Sequence, residues 1–85
     1  MMKKVILVTG GSRGIGKAVC KAFAEKENVI IINYSKSDEE AEKAAHEISL
    51  SGALAETEKA DVSNFSEVKK MVDSVVKRHG RIDLL

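Results

Sequence analysis

Alternating strand and helix patterns in this 85-residue sequence predict an α/β fold of three layers, a doubly wound parallel sheet of which the chain supplies a βαβαβα(β) portion. Three observations predict it. Short, continuous apolar runs rich in β-branched residues alternate with amphipathic stretches; four of the six glycines crowd between Gly10 and Gly16, where the first run gives way to the first amphipathic stretch; and Gly52 and Gly80 close the later two, proline being absent so that segmentation rests on periodicity and glycine. Strands that alternate with helices pair in parallel through right-handed crossovers, which leaves helices on both faces of the sheet.

The run Lys4-Val5-Ile6-Leu7-Val8 lacks polar alternation, the pattern of a strand buried on both faces, and reads as the central strand. After the glycine cluster, Ile15, Ala18, Val19, Ala22 and Phe23 recur at helical spacing, predicting a helix from near Ile15 with these residues turned inward. Val29-Ile30-Ile31-Ile32 forms a second buried strand. Ser37 with Glu40 three residues on makes a capping box, which opens a helix with Ala41, Ala44, Ala45 and Ile48 inward and Gly52 closing it. Ala53 to Ala60, diluted by Glu56 and Glu58, reads as a strand near an edge. Ser63 is the expected cap of a third helix with Phe65, Val68, Val72, Val75 and Val76 on one face, ended by Gly80. Ile82 to Leu85 begins a fourth strand. A parallel sheet needs partners along its length, so the chain reads as a fragment, or as a module that borrows the rest.

Fourteen Lys and Arg against thirteen Asp and Glu leave a formal charge of +1, so no global field recruits nucleic acid or anionic lipid, and any anion must be bound locally. Cys20 is the only cysteine, and His46 and His79 are isolated, without further thiols at ligand spacing. This excludes a disulfide framework and a clustered metal site, and suits a reducing cytosol. The apolar run Val5 to Val8 is too short for a secretory core of about 7 to 15 residues or a membrane span of about 20. A cytoplasmic protein is expected.

In a doubly wound sheet the ligand crevice lies beyond the carboxyl ends of the strands, and Thr9 to Gly16 occupies that place. Glycine there permits positive φ and lets the backbone approach a phosphate, while the helix starting near Ile15 points free N–H groups and its positive dipole end at the same spot. The expected result is an anion seat; the alternative is a tight turn that binds nothing. Gly14-Ile15-Gly16 is not followed by a third glycine at Val19, so the strict G-x-G-x-x-G pattern fails. Gly11 to Lys17 satisfies G-x-x-x-x-G-K, but Ala18 lacks the hydroxyl that a nucleoside-triphosphate loop needs for magnesium.

Thr9-Gly10-Gly11-Ser12-Arg13-Gly14-Ile15-Gly16 matches T-G-x-x-x-G-x-G, and on this motif the sequence resembles the short-chain dehydrogenases/reductases. Asp61-Val62 resembles the family's adenine-contacting pair, and Gly80-Arg81-Ile82-Asp83-Leu84-Leu85 resembles the G-x-I-D-x-L that leads to its next motif. The wording of the glycine loop is most similar to bacterial 3-oxoacyl-acyl-carrier-protein reductases. The resemblance covers the whole chain and implies that residues 1–85 form the N-terminal part of a single Rossmann-type NAD(P)-binding domain. Where the family usually has glycine after the first helix, this chain runs Lys26-Glu27-Asn28, and Asn28 is expected to take the left-handed turn. The family's N-A-G motif, catalytic serine and Tyr-x-x-x-Lys pair fall after Leu85. Tyr34 is the only tyrosine and is followed four residues on by Asp38, so no catalytic residue is expected here.

An NAD site places a carboxylate at the end of the second strand, where this sequence reads Asn33-Tyr34-Ser35-Lys36. Arg13, Ser35 and Lys36 suit a 2′-phosphate, so NADP is the expected cofactor. The plain alternatives are a solvated charge for Lys36 and a surface ion pair of Arg13 with Asp38 or Glu39. The resemblance implies that Gly10, Ser12, Arg13 and Ile15 line the pyrophosphate and adenosine ribose, beside Gly11, Gly14 and Gly16 of the same loop. It implies that Tyr34 and Ser35 flank the ribose phosphate, that Asp61 accepts from the adenine amine, and that Val62 contacts the ring. Asp61 is also expected as a helix-entry acid. The complete enzyme implied would use NADPH to reduce a 3-oxoacyl thioester on acyl carrier protein in fatty acid synthesis, as a homo-oligomeric dimer or tetramer with no nucleic-acid or membrane partner. The rival expectation is a non-catalytic nucleotide-binding or assembly module ending near residue 85.

Overall fold

A strand apolar at every position must be covered on both faces, and the architecture follows from two such strands. The computed structural model describes residues 4–25 and 27–83. Its elements run β1 (Val5–Val8), α1 (Gly14–Ala22), β2 (Val29–Tyr34), α2 (Asp38–Ser49), β3 (Leu54–Lys59) and α3 (Phe65–His79). The strands form a parallel sheet in the order β1-β2-β3, with Val5 opposite Val29 and Val29 opposite Leu54. Alternate residues divide the core in two. Ile6, Ile30 and Ile32 pack with Cys20, Ala24, Ala44 and Ile48 under α1 and α2. Val5, Leu7, Val29 and Ile31 pack with Met71 and Val75 of α3 on the other face. The α/β class, the parallel sheet and the element order are as predicted, as is the inward face of α2, where Ala41, Ala44 and Ile48 are buried.

Six local expectations are corrected. β2, not β1, is the middle strand of the three. The outer side of β1 is instead met by Asp83, whose backbone N–H donates to the Val5 carbonyl at 2.8 Å while its Oδ2 accepts from the Val5 N–H at 2.8 Å. The predicted fourth strand does not appear at residues 82–83, which lie in irregular backbone, and Leu84 and Leu85 lie outside the described residues.

The apolar stripe predicted for α1 does not meet the sheet: Ile15 is 85% exposed, and Ala18, Ala22 and Phe23 are also exposed. The buried residues are instead Cys20 in the helix and Ala24 just after it, with Gly16 half-buried four residues before Cys20. Small residues on that side let the helix lie close to the glycine turn, and this contact sets the helix rotation. The cap of α3 is Asn64, whose Oδ1 accepts from the Glu67 N–H at 3.3 Å. Ser63 is one residue too early because its N–H and hydroxyl both donate to Asp61 Oδ1, at 2.9 and 2.6 Å. Of the face predicted for α3, Phe65 is 80% and Val76 41% exposed, and Met71 and Val75 carry the burial. After α1, the positive φ of 77° falls on Glu27, leaving Asn28 to turn its side chain inward, where it accepts from the Lys4 N–H and donates to the Phe23 carbonyl.

Candidate functional site

A crevice lies beyond the carboxyl ends of β1 and β2, the end of the sheet at which ligands bind in doubly wound folds. Two of the loop glycines show why that residue type is needed. Gly10 has φ of 63°, and no atom lies within 4 Å of where its Cβ would stand, so the strained geometry leaves open space for a ligand. A Cβ on Gly16 would collide with the Gly10 carbonyl oxygen and stand 2.8 Å from its carbonyl carbon, so this glycine serves helix-to-turn packing. Gly14 resembles Gly10 in its open space, whereas Gly11 is packed against Cys20 and Ile32.

The loop is held by a residue outside it. Asn33, 2% exposed at the end of β2, accepts from the Gly10 N–H through Oδ1 at 3.2 Å and from the Gly11 N–H through its carbonyl at 2.9 Å. Its Nδ2 donates to the carbonyls of Glu58 and Ala60, each at 3.2 Å. One amide thus ties the ends of all three strands together. Its signal in the sequence was a lone polar residue closing an otherwise apolar strand.

A cavity of about 250 Å³ lies against the loop, lined by Gly10, Ser12, Arg13, Tyr34, Ser35, Lys36, Ser37 and Glu40. The structure therefore brings together six of the residues singled out from sequence, and adds Ser37 and Glu40. Gly11, Gly14, Ile15 and Gly16 build the adjoining turn and first helical residues. Asp61 and Val62, after β3, are exposed and line no part of this cavity. Lys36 connects the two regions, since its charge contributes to holding the Asp61 carboxyl below its ordinary range, behind the larger effect of the Ser63 hydrogen bonds. Asp61 lies in the turn before the Asn64 cap, where its carboxylate accepts from the Ser63 N–H and hydroxyl.

The electrostatics favour an anion. The first turn of α1 contains no acidic residue and its capping residue, Arg13, makes no side-chain cap bond, whereas α2 and α3 are capped by Ser37 and Asn64 and carry acids in their first turns. Arg13 and Lys36 supply positive charge, and hydroxyls come from Ser12, Tyr34, Ser35 and Ser37. Arg13 pairs with Glu40 at 3.8 Å, not with Asp38 or Glu39. Tyr34 donates to Asp38 Oδ1 at 2.8 Å, and that bond holds its phenol above its ordinary value. Cys20 is buried, its thiol pushed up to about 11, which removes it as a nucleophile. The arrangement combines two cations, four hydroxyls and one carboxylate around the cavity, a set that suits an anionic ligand with hydrogen-bonding groups.

Residues 4–85 match the family model described as short chain dehydrogenase. The short-chain dehydrogenase/reductase homolog YusS of Bacillus subtilis (strain 168) is 40% identical over 85 residues, covering 100% of this chain and 78% of YusS. The 3-oxoacyl-[acyl-carrier-protein] reductase FabG of Staphylococcus epidermidis (strain ATCC 12228 / FDA PCI 1200) is 38% identical over 84 residues, 99% of this chain and 34% of that protein. Among solved structures, L-sorbose reductase from Gluconobacter frateurii, complexed with NADPH and L-sorbose, superposes with a TM-score of 0.87 at 29% identity, covering 98% of this chain and 32% of that one. The chain thus spans about a third of the length of the two named reductases.

Proposed function

Because the chain belongs to the short-chain dehydrogenase family, matched over residues 4–85, we propose that it forms the NADP(H)-binding part of a single Rossmann-type domain in a short-chain oxidoreductase. The observation that carries the reading is the cavity against the Gly10–Arg13 turn, bounded by two cations and by the uncapped positive end of α1. The residues fit the cofactor: Gly10 and Gly14 hold positive φ with open space before them, so a diphosphate can approach the backbone. Gly10, Gly11, Ser12, Arg13, Gly14, Ile15 and Gly16 would hold the pyrophosphate side. Tyr34, Ser35 and Lys36, with Arg13, would surround a 2′-phosphate, and Asp61 and Val62 would meet the adenine.

NADPH supplies the hydride when bound; this chain's residues bind and orient it. The complete enzyme is read as a cytoplasmic, homo-oligomeric (dimeric or tetrameric) carbonyl reductase. The likeness to FabG supports 3-oxoacyl-acyl-carrier-protein as substrate and fatty acid synthesis as the role, while the likeness to L-sorbose reductase supports a broader carbonyl class. The test is titration with NADPH and NADH. Arg13→Ala is expected to weaken NADPH binding about tenfold or more, the scale of a charge-assisted contact to phosphate, and NADH much less. Equal losses would remove the 2′-phosphate assignment.

A second reading is a nucleotide-binding module without catalysis, since the chain covers 78% of YusS against about a third of the two reductases. The intact mass of the native protein separates the two, since a chain that continues through Asn-Ala-Gly and Tyr-x-x-x-Lys supports the enzyme. Residues 1–85 alone are expected to bind cofactor without reducing carbonyls, and measured turnover of NADPH by them would refute this.

A further inference from the structure

The first turn of α2 carries three acids, Asp38, Glu39 and Glu40, and the structure gives each a different task. Asp38 accepts from the Tyr34 hydroxyl at 2.8 Å and pairs with Lys59 at 3.8 Å. Glu39 pairs with Lys43 at 3.6 Å along the helix. Glu40 alone lines the cavity. The Ser37 hydroxyl holds the Glu40 N–H at 3.2 Å, which places the residue on the turn facing the glycine loop, and its Oε2 reaches across to Arg13 at 3.8 Å.

We propose that Glu40 is a specificity-determining residue of this cavity, a carboxylate that competes with the cofactor's 2′-phosphate for Arg13 and thereby lowers the preference for NADP over NAD. The inference rests on the cofactor-binding reading above. A dianionic phosphate at Arg13 must displace Glu40 and then lie near its negative charge, whereas a 2′-hydroxyl leaves the ion pair intact and has in Glu40 an acceptor for its proton. The same carboxylate thus opposes one ligand and tolerates the other. Arg13 and Lys36 supply the opposing positive charge, so the cavity stays cationic and NADPH still binds.

The test is titration of the protein with NADPH and NADH, comparing the native sequence with Glu40→Gln and, as control, Glu39→Gln. Glu40→Gln keeps the backbone N–H that Ser37 holds, and a thermal melt checks that it folds as the native protein does. NADPH is expected to bind about three- to tenfold more tightly to Glu40→Gln, with NADH unchanged or weaker, and the gain to shrink as salt is raised. An equal change for both cofactors, or no change for NADPH, overturns the inference. So does an equal shift from Glu39→Gln, since net charge rather than position would then carry the effect. If the native protein binds neither cofactor, the cofactor-binding reading itself fails and the inference falls with it.

Discussion

Replacing Asn33 with leucine tests whether one buried amide holds the candidate site together. Leucine preserves size and fits the apolar strand, so the loss is confined to polar partners. Three bonds go: from the Gly10 N–H to Oδ1, and from Nδ2 to the carbonyls of Glu58 and Ala60, all at 3.2 Å. A neutral hydrogen bond contributes about 0.5–1.5 kcal/mol net, and a buried group left unpaired costs about 1–3 kcal/mol. Asn33 is 2% exposed, so water reaches these partners poorly. The sum is about 3 kcal/mol, a large share of the roughly 4–13 kcal/mol expected for a domain of 85 residues. Urea unfolding at unchanged slope is the assay, with amide exchange at Gly10 and Gly11 as the local reporter. The Gly10 amide is expected to exchange faster in Asn33→Leu, even relative to the lowered global stability, and more so than Gly11, whose bond to the main-chain carbonyl of residue 33 is kept. A loss under about 1 kcal/mol, with exchange at Gly10 unchanged, would refute the claim that this side chain holds the loop.

Gly16→Ala places a methyl group against the Gly10 carbonyl, backbone that cannot move aside, and is expected to cost about 2–4 kcal/mol in a thermal melt. Asn64→Ala is expected to cost about 1 kcal/mol by removing the cap of α3, and Ser63→Ala less than that; the reverse ranking would return the cap to Ser63. Burial raises the Glu56 carboxyl, but hydrogen bonds from His79 and Arg78, at 3.0 Å each, outweigh it and leave the group below its ordinary value. A depressed carboxyl contributes stability that is present above its unfolded value, about 4.3, and lost as pH falls through the folded one. Glu56→Gln is therefore expected to flatten the acid limb of the stability profile below about pH 4, and an unchanged limb would remove Glu56 from that role.

The parts of the site that were legible in the sequence are local. A turn of glycines at fixed spacing, followed by a helix and preceded by an apolar strand, has few geometries open to it, and Gly10, Ser12, Arg13, Tyr34, Ser35 and Lys36 all line the one cavity. The face of α2 was equally legible, because Ala41, Ala44, Ala45 and Ile48 are the apolar positions of a helix otherwise dominated by charge. The same reasoning failed for α1, where two candidate faces exist. The stripe of Ile15, Ala18, Ala22 and Phe23 was the more conspicuous, yet Cys20 is the buried helix residue, because Gly16 meets the Gly10 carbonyl too closely for a Cβ and so fixes which side of the helix faces the turn.

By itself the sequence determined the element order, the parallel α/β class and the position of the glycine loop at the end of β1, since each depends on periodicities and spacings within a few residues. Only the tertiary structure decided that Asn33 clamps Gly10 to the ends of β2 and β3, that Glu40 rather than Asp38 or Glu39 meets Arg13, and that Asp83 docks on the first residue of β1. Those pairs lie more than twenty residues apart along the chain. Which of several equivalent amides or carboxylates meets a distant partner depends on register and helix rotation, and these are set when whole surfaces pack together.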